Sequence, residues 1–190
     1  MQTLFTPQQE AAEDIFFGQI VLIWARWFVI LAGGIFALWS ANSIGQLSGA
    51  IVLIVMMMGI NFFVHGRYLM EQPVNQTLLI VLSFLDLSLI TLILLVWPGQ
   101  NGLNSFLFVL YYPILTAFAF VFQPRFAALY TLTALAAYTI ACFVADTTIF
   151  TSSGKMELLV MRAITLAAMG GLGAYYWRIQ REQRRRLFSQ

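Results

Sequence analysis

Six apolar runs dominate the chain: Val21 to Trp39, Leu47 to Leu69, Leu78 to Trp97, Leu103 to Phe122, Phe126 to Val144 and Leu158 to Trp177. Each is close to the ~20 residues that a helix needs to cross the hydrocarbon core of a bilayer. Little is left over in 190 residues for a separate soluble domain, and the chain is 61% hydrophobic and 9% charged, with a mean hydropathy of +0.83. A soluble domain averages about half apolar and about a quarter charged. The expected fold is therefore all-α, a polytopic six-transmembrane-helix bundle, multi-pass in a membrane.

Short breaks with turn chemistry separate the runs: Asn42-Ser43-Ile44-Gly45, Glu71-Gln72-Pro73, Pro98-Gly99-Gln100-Asn101-Gly102, Gln123-Pro124-Arg125 and Thr151-Ser152-Ser153-Gly154. Six crossings put both termini on one side. Arg67, Arg125, Arg178, Arg181 and Arg184 to Arg186 gather there, against only Lys155 opposite, so the positive-inside rule makes both termini cytoplasmic. Trp39 and Trp97 at the outer ends, and Trp24, Trp27 and Trp177 at the inner ones, fit interfacial belts.

Residues 1–20 read as a cytoplasmic or interfacial segment, 21–177 as the bundle and 178–190 as a basic cytoplasmic helix. The N-terminal stretch carries Glu10, Glu13 and Asp14 and lacks the basic opening of a signal peptide. Residues 15–23 either extend the first span or lie along the inner surface; the second is preferred, with Arg26 snorkelling to lipid headgroups. A single cysteine, Cys142, and a single histidine, His65, exclude an internal disulfide and paired-histidine metal or haem ligation within one chain. No metal site or catalytic residue is expected. Serine-hydrolase, zinc-peptidase and phosphate-loop motifs are absent, so the chain is not expected to be an enzyme, nor to bind nucleic acid directly.

Ionisable groups at membrane depth are costly and mark function by default. Asp86 and Asn61 fall at similar depth on adjacent spans and can bond directly, while Tyr111 and Tyr112, before a helix-bending Pro113, can complete a polar pocket. These side chains either tie helices together or bind a ligand. Arg162 is expected to pair with Asp146 or Glu157. Gly170, Gly171 and Ala174, with Ala167, form small-xxx-small pairs that serve either bundle packing or a homodimer seam. Residues 175–187 contain no helix breaker, so the last span can leave the bilayer as one rod, and Leu187-Phe188 suggests a chain that continues past Gln190.

In order along the chain, Arg26-Trp27, Asn61, Phe84-Leu85-Asp86, Gly99-Gln100-Asn101-Gly102-Leu103-Asn104-Ser105-Phe106, Tyr112-Pro113 and Pro124-Arg125-Phe126 form a pattern. It resembles the six-helix membrane input domain of sensor histidine kinases, nearest to the quinone-responsive redox-sensor type. Ser105 stands where the loop motif of that family has proline. The resemblance implies a quinone as ligand, with Asn61, Asp86, Asn104, Phe106, Tyr111 and Tyr112 in or near its site. It also implies a cytoplasmic kinase output, although similar domains precede nucleotide cyclases. Independently, Asn104 can serve the membrane surface as donor and acceptor, with Phe106 and Trp97 flanking a ring, or Asn104 or Asn101 can simply cap a helix. The competing expectation is a six-helix substrate-binding subunit of a vitamin-type solute transporter.

Overall fold

The structure, a computed structural model, describes residues 7–72, 74–97 and 102–188 and is all-helical over them. The helices are α1 (Pro7–Ser40), α2 (Ile44–Leu69), α3 (Gln76–Val96), α4 (Tyr111–Val121), α5 (Pro124–Ala145) and α6 (Ser153–Phe188). Five of them contain stretches long and apolar enough to cross a membrane, as in a multi-pass membrane protein. Pro98, Gly99, Gln100 and Asn101 of the glycine-containing connection lie outside the described residues, as do the side chains of Arg181 and Arg184 to Arg186.

Local chemistry sets the helix boundaries. Ser43 caps α2 by accepting from the Gln46 amide at 3.3 Å, while Gln46 Oε1 accepts from the Asn42 amide at 2.9 Å. Asn75 caps α3 through the Thr77 amide at 3.2 Å, and Pro124 opens α5, where its missing N–H costs nothing. One end of the bundle holds the α1–α2, α3–α4 and α5–α6 connections and is called the loop end below.

Two expectations need correction. Residues 15–23 do not lie apart from the first span: α1 runs unbroken from Pro7 to Ser40, and Gln19, Leu22, Ile23 and Arg26 on it are all buried. Arg26 therefore does not snorkel. The fourth run is not one α-helix either: Gly102–Asn104 and Phe106–Leu110 form two 3₁₀ turns before the short α4. Pro113 accordingly sits in the first turn of α4, where a missing donor is tolerated, instead of bending a helix in its middle. Gly102 has φ +56°, a left-handed conformation that suits glycine, and a Cβ there would lie 2.8 Å from Ala145 Cβ.

Short as it is, α4 is the hub, packing against α1, α3, α5 and α6, whereas α2 packs mainly along α1. Its contact with α6 depends on glycine. A Cβ on Gly173 would collide with Ala119 of α4, and one on Gly170 with Thr131 of α5, while Gly171 faces open space. The small-residue run thus divides: Gly170 and Gly173 serve packing within the bundle, Ala174 is half-buried, and Gly171 points outward. Leucine at Gly170 or Gly173 should cost about 1–3 kcal/mol or more through overpacking, and leucine at Gly171 should be near neutral. Unfolding of the purified variants in mixed micelles checks the contrast.

Candidate functional site

Halfway along α3, where apolar neighbours surround it, Asp86 accepts a hydrogen bond from Arg26 Nε of α1 at 2.5 Å. Both side chains are almost wholly enclosed, at 2% and 3% exposure. A charge moved out of water costs several kcal/mol, and only a close partner offsets that. The sequence offers Asn61 as a direct partner for Asp86 and does not point to Arg26. The Asn61 amide instead donates to the Ile23 carbonyl of α1 at 3.3 Å, which binds α2 to α1 at the same level.

About two turns from Arg26 towards the opposite end, buried Gln19 adds a second tie. Its amide donates to the Val64 carbonyl at 2.9 Å and its Oε1 accepts from the Val74 amide at 3.0 Å, joining α1 to the end of α2 and the start of α3. Nothing in the sequence distinguished Gln19 except that a polar residue stands in an apolar run.

The cluster is incompletely satisfied. Arg26 Nη1 and Nη2, Asp86 Oδ1 and Asn61 Oδ1 are all buried without a hydrogen-bond partner among the described residues. Buried polar atoms are rarely left so, and each such exception calls for an explanation. Two donor nitrogens and one acceptor oxygen of the ion pair, with an acceptor oxygen of Asn61 on the adjoining helix, can bind a small polar group or can re-pair when the helices shift.

An aromatic layer continues from the ion pair towards α6. Tyr130 of α5 donates to the Ser83 carbonyl of α3 at 2.8 Å, stacks on Phe118 of α4 with centroids 4.0 Å apart, and meets Phe84 edge-on at 5.1 Å. Phe118 and Tyr130 are chain neighbours of Ala119 and Thr131, the residues on which Gly173 and Gly170 of α6 close.

The remaining expected site residues do not converge on Asp86. Tyr111 is buried and its hydroxyl shares a 2.7 Å hydrogen bond with Thr91 of α3, whereas Tyr112 turns the other way and donates to Thr165 of α6 at 3.1 Å. Consecutive helical positions point about 100° apart, and the two hydroxyls accordingly bond to different helices. Asn104 and Phe106 are exposed near the loop end, and Ser105, not an asparagine, caps the following turn through the Leu107 amide at 3.1 Å. Trp97 is packed within the bundle at 6% exposure, whereas Trp39 is exposed.

The expected Asp146–Arg162 pair is also replaced. Asp146 accepts from Lys155 Nζ at 2.6 Å and from the Thr148 amide at 2.8 Å, because Lys155 in the first turn of α6 is brought over the loop. Arg162, deeper along α6, donates to the Tyr138 hydroxyl at 3.1 Å and the Ser105 carbonyl at 3.4 Å, and lies 4.6 Å from the Phe108 ring centroid. Cys142 is buried and unpaired, and no group of three or more metal-ligating residues occurs among the described residues. No family model, curated protein or solved structure matches the chain.

Hydrogen bonds from Lys155 and Thr148 hold the Asp146 carboxyl down at about 2. Its folded value lies below its unfolded one, so its contribution to stability is complete above the ordinary carboxylate range and lost as pH falls towards 2. Replacing Lys155 with alanine should return the Asp146 midpoint towards 3.8, as followed by carboxyl carbon NMR.

Proposed function

We propose that the chain is a membrane-embedded sensory input domain of a signal-transduction protein of the sensor histidine kinase type. On this reading it crosses a bacterial plasma membrane six times, with the 3₁₀ turns and α4 together forming the fourth crossing and both termini cytoplasmic. It detects a membrane-soluble ligand or the state of the bilayer and signals as a homodimer through α6 to a kinase or cyclase output. Arg67, Arg125 and Arg178 at the end opposite the loops, against Lys155 at the loop end, support that orientation.

The observation that carries the reading is the enclosed Arg26–Asp86 pair, three of whose own polar atoms, together with Asn61 Oδ1 on α2, have no hydrogen-bond partner among the described residues. A cluster with spare donors and acceptors has alternative pairings of comparable energy, and a sensor needs two such states separated by a few kcal/mol. Physical continuity supports an exit route: α3 to Tyr130 and Phe118, then to Gly170 and Gly173 on α6. The last helix then runs on without interruption to Phe188.

Chemical cross-linking tests this directly. In a Cys142→Ala background, Gly171→Cys should give an oxidised dimer in native membranes, since that position faces outward, while Gly170→Cys should not. Adding Asp86→Asn should change the dimer yield. A chain that stays monomeric at every α6 position and is stabilised by a water-soluble vitamin-like solute would instead match the transport-subunit reading.

A further inference from the structure

At the end of the bundle opposite the loops, the turn that opens α5 and one face of α6 form a cleft of about 550 Å³. That size falls within the ~300–1,000 Å³ of ordinary small-molecule sites. Gly171, Ala174, Tyr175 and Arg178 supply one wall, and steps of three, four and seven residues place them on a single helix face. Arg125, the second residue of α5, stands on the other wall. Glycine gives the cleft its depth: Gly170 and Gly173 draw α6 onto α5 and α4, whereas a Cβ on Gly171 would meet nothing within 4 Å.

Charge and position together define what fits. Arg125 and Arg178 are both exposed, and neither makes an ion pair or a side-chain hydrogen bond among the described residues. No carboxylate lines the cleft, and Glu182, four residues beyond Arg178, is exposed and not paired with it. Both arginines stand near the ends of stretches apolar enough to cross a membrane, Pro124–Ala145 and Ser153–Gln180. Tyr175 and Trp177 also line the cleft, and rings of these types collect at the membrane–water interface. Two guanidiniums without carboxylate partners are thus held at the level of lipid headgroups.

We propose that this cleft binds the phosphate of one anionic bilayer phospholipid between Arg125 and Arg178. The planar fork of a guanidinium matches phosphate oxygens with paired N–H donors. Gly171 lies seven residues, roughly 10 Å at 1.5 Å per residue, deeper along α6 than Arg178, so the glycerol backbone and first acyl carbons follow the small-residue face into the hydrocarbon. A free phosphate would leave that deeper part of the cleft empty. A headgroup carrying its own ammonium fits poorly, because no carboxylate is there to receive it. Once occupied, the cleft ties the turn before α5 to the last span where α6 leaves the membrane. The site requires only that these helices cross a bilayer, so it goes beyond the sensory reading and does not depend on it.

Native mass spectrometry of the full chain tests the site after extraction from vesicles of equal parts phosphatidylglycerol and phosphatidylethanolamine with the same palmitoyl and oleoyl chains. The wild-type protein should retain one phosphatidylglycerol in preference to phosphatidylethanolamine. Arg125→Gln and Arg178→Gln should each lower that retention about fivefold or more, the worth of one basic side chain at an anionic headgroup. Gly171→Leu, which fills the cleft and leaves both charges in place, should abolish it while helicity by circular dichroism stays as in wild type. Arg67→Gln, at the same end of the bundle and outside the cleft, should leave it unchanged. Equal retention of the two lipids by wild type, an equal loss in Arg67→Gln, or full retention in folded Gly171→Leu and in the double arginine variant would overturn the site. Displacement of the retained lipid by millimolar inorganic phosphate would overturn the lipid as occupant in favour of free phosphate.

Discussion

Two opposite charges enclosed halfway along an apolar helix bundle impose the constraint from which the rest follows. Arg26 and Asp86 are 60 residues apart in sequence, and neither charge can be left alone in such surroundings without a penalty of several kcal/mol. Their bond therefore fixes how far α1 and α3 slide past one another. Hydrophobic contact between aliphatic side chains could not fix this, since lipid tails satisfy them equally well. Asn61 and Gln19 set α2 against α1 in the same way, each by a side-chain bond to the backbone of a neighbouring helix. A few polar contacts thus determine a register that the abundant apolar ones leave open.

The opposite half of the bundle is held by shape. There α4 is short and its approach consists of 3₁₀ turns, so the segment can bring Tyr111 to α3 and Tyr112 to α6 within one turn. Gly170 and Gly173 let α6 approach α5 and α4 closely, beside the stacked Tyr130 and Phe118. Packed rings and close-fitting glycines transmit displacement because dense interiors have few intermediate arrangements. A polar cluster with alternative pairings on one side and a tightly seated exit helix on the other give the proposed sensor its two parts.

Much of the architecture was legible because each apolar run is bounded by residues that stop or cap helices, such as Ser43, Asn75 and Pro124. The fourth segment was not, because hydropathy does not distinguish an α-helix from a chain of 3₁₀ turns. Asp86 and Asn61 stood out by cost alone, but their partners did not: Arg26 near a helix end is as consistent with snorkelling as with burial, and only the fold shows α3 beside it. Likewise the glycines at 170, 171 and 173 formed one apparent seam, yet about 100° of rotation per residue sends them to different neighbours. The loop residues Asn104 and Phe106 resembled a ligand motif, and the structure leaves both exposed whereas Asp86 is buried.

The most direct measurement is a double-mutant cycle on the ion pair, with unfolding free energies taken in mixed micelles for Arg26→Met, Asp86→Leu and the two combined. If the enclosed pair fixes the bundle, each single variant should lose about 3–5 kcal/mol by stranding the other charge, and the double variant should recover most of that loss. Losses that simply add would show that the two side chains do not depend on each other and would contradict the account.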